Sequence, residues 1–237
     1  RAGRQHLAKV PGVNQGHLGC ISAAAVNAAG KELAELEESG VQFVVMSGKG
    51  YPPLLKECPD APLGLYVRSA SPAEDLWKPA VKIAVVGTRD ISPYGKEWCT
   101  RTVSALASAD EKPMIISGLA LGTDICAHRT ALESGLPTVA VMATGPLTIY
   151  PYRHKAFAER LCQTPGCALV TDYPPGTPPL AMHFLRRNRI IAGISDATIL
   201  IESKIKGGGL MTSRLAFSYS RDVYALPGRI DDIRSQG

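Results

Sequence analysis

The rhythm of apolar and polar positions along this chain changes near residue 80. From there on, short unbroken Val/Ile-rich runs recur at Val81–Val86, Met114–Ser117, Thr138–Met142, Ala168–Thr171, Ala197–Glu202 and Asp222–Leu226. Runs that are apolar at consecutive rather than alternate positions mark strands covered on both faces of a parallel sheet. The stretches between them read as helices with legible ends. Ser92 before Pro93 makes an N-cap and first-turn pair. Thr123 and Asp124 are candidate caps for a helix that stops at Gly135, with Pro137 just beyond. Strands alternating with crossover helices in this way predict an α/β fold with an open, doubly wound, mostly parallel sheet.

The first 80 residues follow other patterns. Residues 1–40 are rich in small side chains and read as helical, and Val10-Pro11-Gly12-Val13 is similar to the turn of a helix-hairpin-helix, a backbone-phosphate binder. Asn14 stands there in place of the second expected glycine and adopts positive φ less readily. A packing helix pair is the plainer alternative. Residues 41–78 form a short module with strand-like segments at Val41–Met46 and Leu63–Val67, broken by Tyr51-Pro52-Pro53 and closed by Trp77-Lys78-Pro79. The expected organisation is therefore a helical part over 1–40, a strand/loop extension over 41–78, and a main domain over 79–237.

Composition narrows the classes. Of 237 residues, 45% are hydrophobic and 20% charged, enough to build a core and too apolar for a disordered chain. No apolar run approaches the roughly 18 residues a spanning helix needs, and no signal peptide opens the chain, so no membrane partner is expected. The chain opens at Arg1 without Met and stops just after a strand-like segment, the expectation for a trimmed piece of a longer protein. Six cysteines include no CxxC pair; in a chain this long they read as reduced, mostly buried small hydrophobes in a cytoplasmic protein, with no zinc or other metal site.

The net charge of +5 matters for its placement. Residues 1–78 balance, while residues 151–214 hold nine basic side chains against four acidic ones and account for all of the excess. A local basic surplus suits a polyanion as well as a merely solvated face.

In open parallel sheets ligands bind at the carboxyl ends of strands, where loops and helix N-termini supply free amides. Four loops meet that condition. The first is Gly87-Thr88-Arg89, where glycine admits close backbone approach, threonine donates a hydroxyl and arginine can grip phosphate. The second is Ser117-Gly118-Leu119-Ala120-Leu121-Gly122. Asp124 and His128 follow it, four apart on one helical face, where they could pair; a capping carboxylate with a satisfied histidine is the simpler reading, and no catalytic residue is assigned. The third loop leads into the basic patch Arg153-His154-Lys155. The fourth is Lys206-Gly207-Gly208-Gly209, three glycines able to present successive amides to an anion. It matches neither a GxxxxGK[ST] phosphate loop nor a dinucleotide fingerprint, so no nucleotide cofactor is expected. The densest basic feature, Phe184-Leu185-Arg186-Arg187-Asn188-Arg189, is expected to open a short helix, with Phe184 a candidate for stacking on a base and at least one arginine structural.

The series Gly87-Thr88-Arg89, Tyr94-Gly95, Ser117-Gly118-Leu119-Ala120-x-Gly122-x-Asp124-x-x-Ala127-His128, Tyr150-Pro151, Arg187-Asn188-Arg189-Ile190-Ile191-Ala192-Gly193, Glu202 and Pro227-Gly228 resembles the DNA-processing protein A (DprA, or Smf) family, in order and spacing, over about residues 41–237. Leu185, Gly207–Gly209 and Pro146-Leu147 depart from the residues usual in that family. The resemblance implies an extended Rossmann-like fold and a non-enzymatic binder of single-stranded DNA in natural transformation, one that dimerises and loads the RecA recombinase. It also implies that Arg89 holds phosphate, that the loops at Gly118–Gly122 and Gly207–Gly209 supply amides, and that Arg187, Asn188 and Arg189 line the same groove. The competing reading is a nucleotide enzyme such as a nucleoside-monophosphate phosphoribohydrolase, with Glu202 beside a glycine loop and Arg89 on a phosphate. A third is a protein-binding platform built on Leu210–Ser220 and Asp222–Leu226.

Overall fold

The computed structural model describes residues 9, 14–229 and 231–237. The Val10–Val13 turn lies outside them. The chain divides into two compact units, residues 1–41 and 42–237. The first holds helices α1 (Gln15–Cys20) and α2 (Ala23–Glu38). Ser22 caps α2 by accepting from the Ala25 amide at 3.1 Å.

The second unit is built on an eight-stranded sheet. In chain order its elements are β1 (Val41–Val45), α3 (Pro53–Lys56), β2 (Gly64–Arg68), α4 (Ala73–Leu76), β3 (Lys82–Val86), α5 (Pro93–Leu106), β4 (Met114–Ser117), α6 (Thr123–Glu133) and β5 (Thr138–Val141). There follow a 3₁₀ turn (Tyr152–His154), α7 (Lys155–Gln163), β6 (Ala168–Thr171), α8 (Ala181–Ile194), β7 (Ala197–Leu200), α9 (Gly208–Ser218) and β8 (Asp222–Ala225). The spatial order is β1-β2-β6-β5-β4-β3-β7-β8. Each neighbouring pair from β6 to β8 is parallel, and β2 joins β6 antiparallel with Tyr66 opposite Thr171. The six strands expected after residue 80 are therefore the six parallel strands, and the 41–78 module extends the same sheet. This is the open, mostly parallel α/β sheet the periodicity predicts, in the Rossmann-like form the resemblance implies.

Consecutive apolar residues serve two cores because successive side chains point to opposite faces. Ala84, Val86, Ile116, Val139 and Val170 pack under Ile190, Ile191 and Ile194 of α8. Val85 and Ile115 meet Cys99 and Val103 of α5 and Ala127 of α6, while Ala140 and Leu169 meet Leu161 of α7. Among the described residues no helix is long and apolar enough to cross a membrane.

The order of strands reverses between β3 and β7. Helices leave these two neighbours on opposite faces, so their carboxyl ends open a crevice where such folds place ligands.

Candidate functional site

The crevice is a cleft of about 730 Å³ between the loops that follow β3 and β7, with α8 as its side wall. Two helix N-termini approach it, and they differ in one respect that decides its chemistry. At α5, Glu202 fills the end of the helix: it accepts from the Ser92 amide at 2.9 Å and from the Ser92 hydroxyl at 2.5 Å. Ser92 Oγ in turn accepts from the Gly95 amide at 3.0 Å, the N-cap read from the sequence. A Cβ at position 95 would lie 2.5 Å from the Glu202 carboxyl carbon, which accounts for the glycine there. The position that receives pyrophosphate in dinucleotide-binding folds, the helix after the first parallel strand, thus already holds a carboxylate.

At α9 the end is open. Gly207 is the N-cap and offers no side chain, and Leu210 N is taken by Ser203 Oγ at 3.2 Å. Gly208 and Gly209 line the cleft, and their amides have no hydrogen-bond partner among the described residues. Two free amides at the positive end of an 11-residue helix thus face the cleft, an arrangement suited to an anion. The three glycines have separate reasons. A side chain at 207 would strike Ser203 Oγ, one at 209 would meet the Gly87 backbone at 2.8 Å, and 208 faces open space.

Cations converge on the same space. Arg89, Lys204 and Lys206 are exposed, line the cleft, and take part in no ion pair among the described residues. The Arg89 guanidinium stands 4.9 Å from the ring centre of Phe184, and the Tyr150 ring meets Phe184 edge-on at 5.5 Å. Thr88 lines the cleft with its hydroxyl accepting from Asp90 N. Asn188, 7% exposed, faces the cleft without a protein hydrogen bond among the described residues.

The arginine run is distributed differently from the sequence expectation. It lies within the 14-residue α8 rather than at a helix N-terminus. At 3.6 residues per turn, positions 184, 187, 188 and 191 share one face, and 186 and 189 point elsewhere. Arg187 is on the cleft face yet 3% exposed, its Nη1 donating to Gly118 O at 2.6 Å and Val141 O at 2.5 Å. Arg189 does not line the cleft; it pairs with Asp172 at 2.5 Å and donates to Asp60 O. Two of the three arginines are thus tied into the fold, and Arg186 is exposed.

The loop after β4 serves packing more than ligand contact. Ser117 is buried and donates to Val85 O at 2.6 Å, Gly118 gives its carbonyl to Arg187, and the Ala120 amide is taken by Asp124 at 3.2 Å. Gly122 has φ of 74°, and a side chain there would collide with Thr88 O. Thr123 donates to Thr88 O instead of capping α6, so Gly122 holds the N-cap position. Asp124 and His128 do not pair. Burial raises the Asp124 carboxyl, against the pull of Arg187. His128 is fully buried and Nδ1 lies 2.7 Å from Thr138 Oγ1, whose own proton goes to Ile115 O. Nδ1 therefore carries the proton, and burial holds the ring neutral by lowering its pKa to about 3.

Of the third-loop patch, Arg153 is exposed, whereas His154 is buried, donates to Leu119 O at 2.9 Å and has its pKa lowered by burial. Lys155 is exposed outside the cleft, its Nζ 5.7 Å from the Tyr152 ring. Tyr150 and Lys204 are site residues that the sequence reading did not select. The available signal was an aromatic at the end of the third strand's loop, and a second lysine on the glycine loop.

The fold and this cleft define an extended Rossmann-like protein whose switch point carries a cationic, aromatic-lined cleft. The family model of DNA recombination-mediator protein A matches residues 42–237, and the chain belongs to that family. Protein Smf of Escherichia coli K12 is 38% identical over 205 residues, 86% of this chain and 53% of that protein. DNA processing protein DprA of Streptococcus pneumoniae is 38% identical over 187 residues, 79% of this chain and 63% of the relative. The chain thus spans between half and two thirds of these relatives. The X-ray structure of the pneumococcal DprA superposes with a TM-score of 0.77 at 33% identity, covering 92% of this chain and 76% of that one. DprA from Helicobacter pylori, whose structure concerns its single-stranded DNA binding mode, superposes with a TM-score of 0.70 at 27% identity, over 81% and 83%.

Proposed function

We propose that this chain binds single-stranded DNA along the switch-point cleft and acts, without catalysis, as a DNA-processing protein of natural transformation. The observation that carries the reading is the lining of the cleft. Unpaired Arg89, Lys204 and Lys206 and the open amides of Gly208 and Gly209 suit phosphates, and Phe184 and Tyr150 stand beside them to take bases. Stacking on a ring requires a base whose face is free, which a duplex does not offer. The binding of single strands by the H. pylori relative supports the same assignment.

Loading of the RecA recombinase and action as a homodimer belong to the same proposal and rest on family membership. For self-association the structure offers the edge strand β8, exposed along its length, and Phe217, 78% exposed on α9. Light scattering reads that state. The nucleotide-enzyme alternative needs Glu202 free to act, and its carboxylate is committed to Ser92.

The test is a binding titration with labelled oligo-dT against the matching duplex across a salt series. Tight binding of the single strand, falling steeply with salt as counterions are released, is expected. Salt-insensitive binding, or equal preference for duplex, overturns the reading. Robust release of free base from nucleoside monophosphates would replace it with the enzymatic one.

A further inference from the structure

Beside the main cleft lies a second depression of about 390 Å³. Arg89 and Asp90 line both, so the two share a wall. Its other sides come from separate elements: Ile125 and Arg129 from α6, and Arg153 and His154 from the 3₁₀ turn. Three guanidinium groups therefore face one groove from three parts of the chain.

Their charge is not cancelled. Among the described residues Arg89, Arg129 and Arg153 form no ion pair, and all three are exposed. Asp90, the acid in the groove, is taken by Arg234 at 3.0 Å. His154 is buried against Leu119 O and kept neutral, so it adds shape rather than charge. Arg129 rests its guanidinium 6.0 Å from the Phe157 ring centre, which leaves its donors free. Among the described residues no Phe, Tyr or Trp lines this groove, in contrast to Phe184 and Tyr150 in the main cleft.

We infer that the second groove is the onward track of the nucleic-acid strand: it takes consecutive phosphodiester groups of the nucleotides next to those in the main cleft, on Arg129 and Arg153, with Arg89 at the turn between the two. This rests on the single-strand reading above and extends it. The main cleft holds bases as well as phosphates; the groove holds backbone alone and is indifferent to sequence. Arg129 has not been singled out by any motif, because it owes its place to the α6 face that turns toward the 3₁₀ turn.

The experiment compares an oligo-dT of about four nucleotides with one of about sixteen, a span typical of single-strand sites. Wild type, Arg89→Ala, and the double variant Arg129→Ala/Arg153→Ala are titrated over a salt series. The double variant is expected to bind the short oligomer as wild type does and the long one roughly tenfold more weakly. Its salt slope for the long oligomer should fall by about 1.4, the value for two lost phosphate contacts on a single strand. Arg129→Lys/Arg153→Lys should restore most of the slope, since the lost contacts are charge contacts. Unchanged affinity and slope for the long oligomer overturn the inference, as does an equal loss for both lengths. Arg89→Ala weakens both lengths if the main-cleft reading holds; if it weakens neither, that reading itself fails. Thermal unfolding of each variant confirms that the fold is intact.

Discussion

Arg187 and Gly118 fit each other so closely that neither can be changed alone. Nη1 of the buried arginine donates to the Gly118 carbonyl at 2.6 Å, and any Cβ at 118 would collide with the same guanidinium. The pair ties the loop after β4 to α8 and so fixes the floor of the cleft on which Phe184 and Asn188 stand. Gly118→Ala is expected to destabilise the protein by about 1–3 kcal/mol, the usual cost of overpacking. Arg187→Ala leaves two buried carbonyls without a donor, at roughly 1–3 kcal/mol each. Urea unfolding measures both; a wild-type midpoint in either variant contradicts the structural assignment.

Arg89 has the opposite character. It is exposed, bears no ion pair among the described residues, and touches the fold through the Phe184 ring. Arg89→Ala should keep the wild-type melting temperature while weakening oligo-dT binding and lowering its salt slope by about 0.7. A variant with wild-type affinity removes Arg89 from the interface.

Glu202 should matter for stability and for no turnover. Its carboxylate accepts two hydrogen bonds from Ser92 at the start of α5, near the positive helix end. Glu202→Ala leaves the Ser92 amide unpartnered and should cost on the order of 1–3 kcal/mol. Equilibrium denaturation reads the loss. A stable variant that has lost a base-release activity would instead mark Glu202 as a reacting group.

Acid should weaken the fold through His128. An unfolded imidazole titrates near 6.5, whereas burial, with the charge of Arg187 adding to it, holds this one at about 3. Between those values the unfolded chain binds a proton that the folded chain does not. Stability is therefore full above about 6.5 and declines as pH falls toward 3, by up to ~1.4 kcal/mol per pH unit for this group. His154 acts in the same direction. Asp124 acts oppositely: with its carboxyl raised by burial, it contributes stability below its unfolded value that is lost as pH rises through the folded one. Urea midpoints between pH 4.5 and 6.5 should fall with acid in wild type and much less in His128→Gln; equal slopes would show that His128 is not the titrating group.

Cys126 should react faster than the buried thiols. The neighbouring Cys99 thiol, with Thr100 and Lys96, holds the Cys126 thiol below its ordinary range, while Cys99 itself, whose Sγ reaches toward Thr123 O, is raised. Cys58, Cys162 and Cys167 are buried and raised by burial. At neutral pH, iodoacetamide followed by peptide mapping should mark Cys126 before these three, and Cys99→Ala should slow that alkylation. Equal rates at all four overturn the assignment.

Much of this could be read from the chain because it is local. Val85 and Ile115 needed only their apolar neighbours to be placed on a two-faced parallel sheet, and Ser92-Pro93 needed only each other to mark the start of α5. The arginine run shows where local reading stops. Arg186, Arg187 and Arg189 look alike in sequence, yet a cation's fate depends on which acceptors the fold brings to it. Gly118 O and Val141 O, 69 and 46 residues away, claim Arg187, and Asp172 claims Arg189.

What the sequence determined by itself was the strand and helix periodicity, the glycine loops at strand ends and the concentration of positive charge in residues 151–214, all set by neighbouring residues. The tertiary structure decided which helix end stays open to an anion. Glu202 reaches from the end of β7 to close α5, and the parallel pairing of β3 with β7 then leaves the amides of Gly208 and Gly209 facing Arg89. That arrangement depends on long-range strand order, which no local pattern encodes.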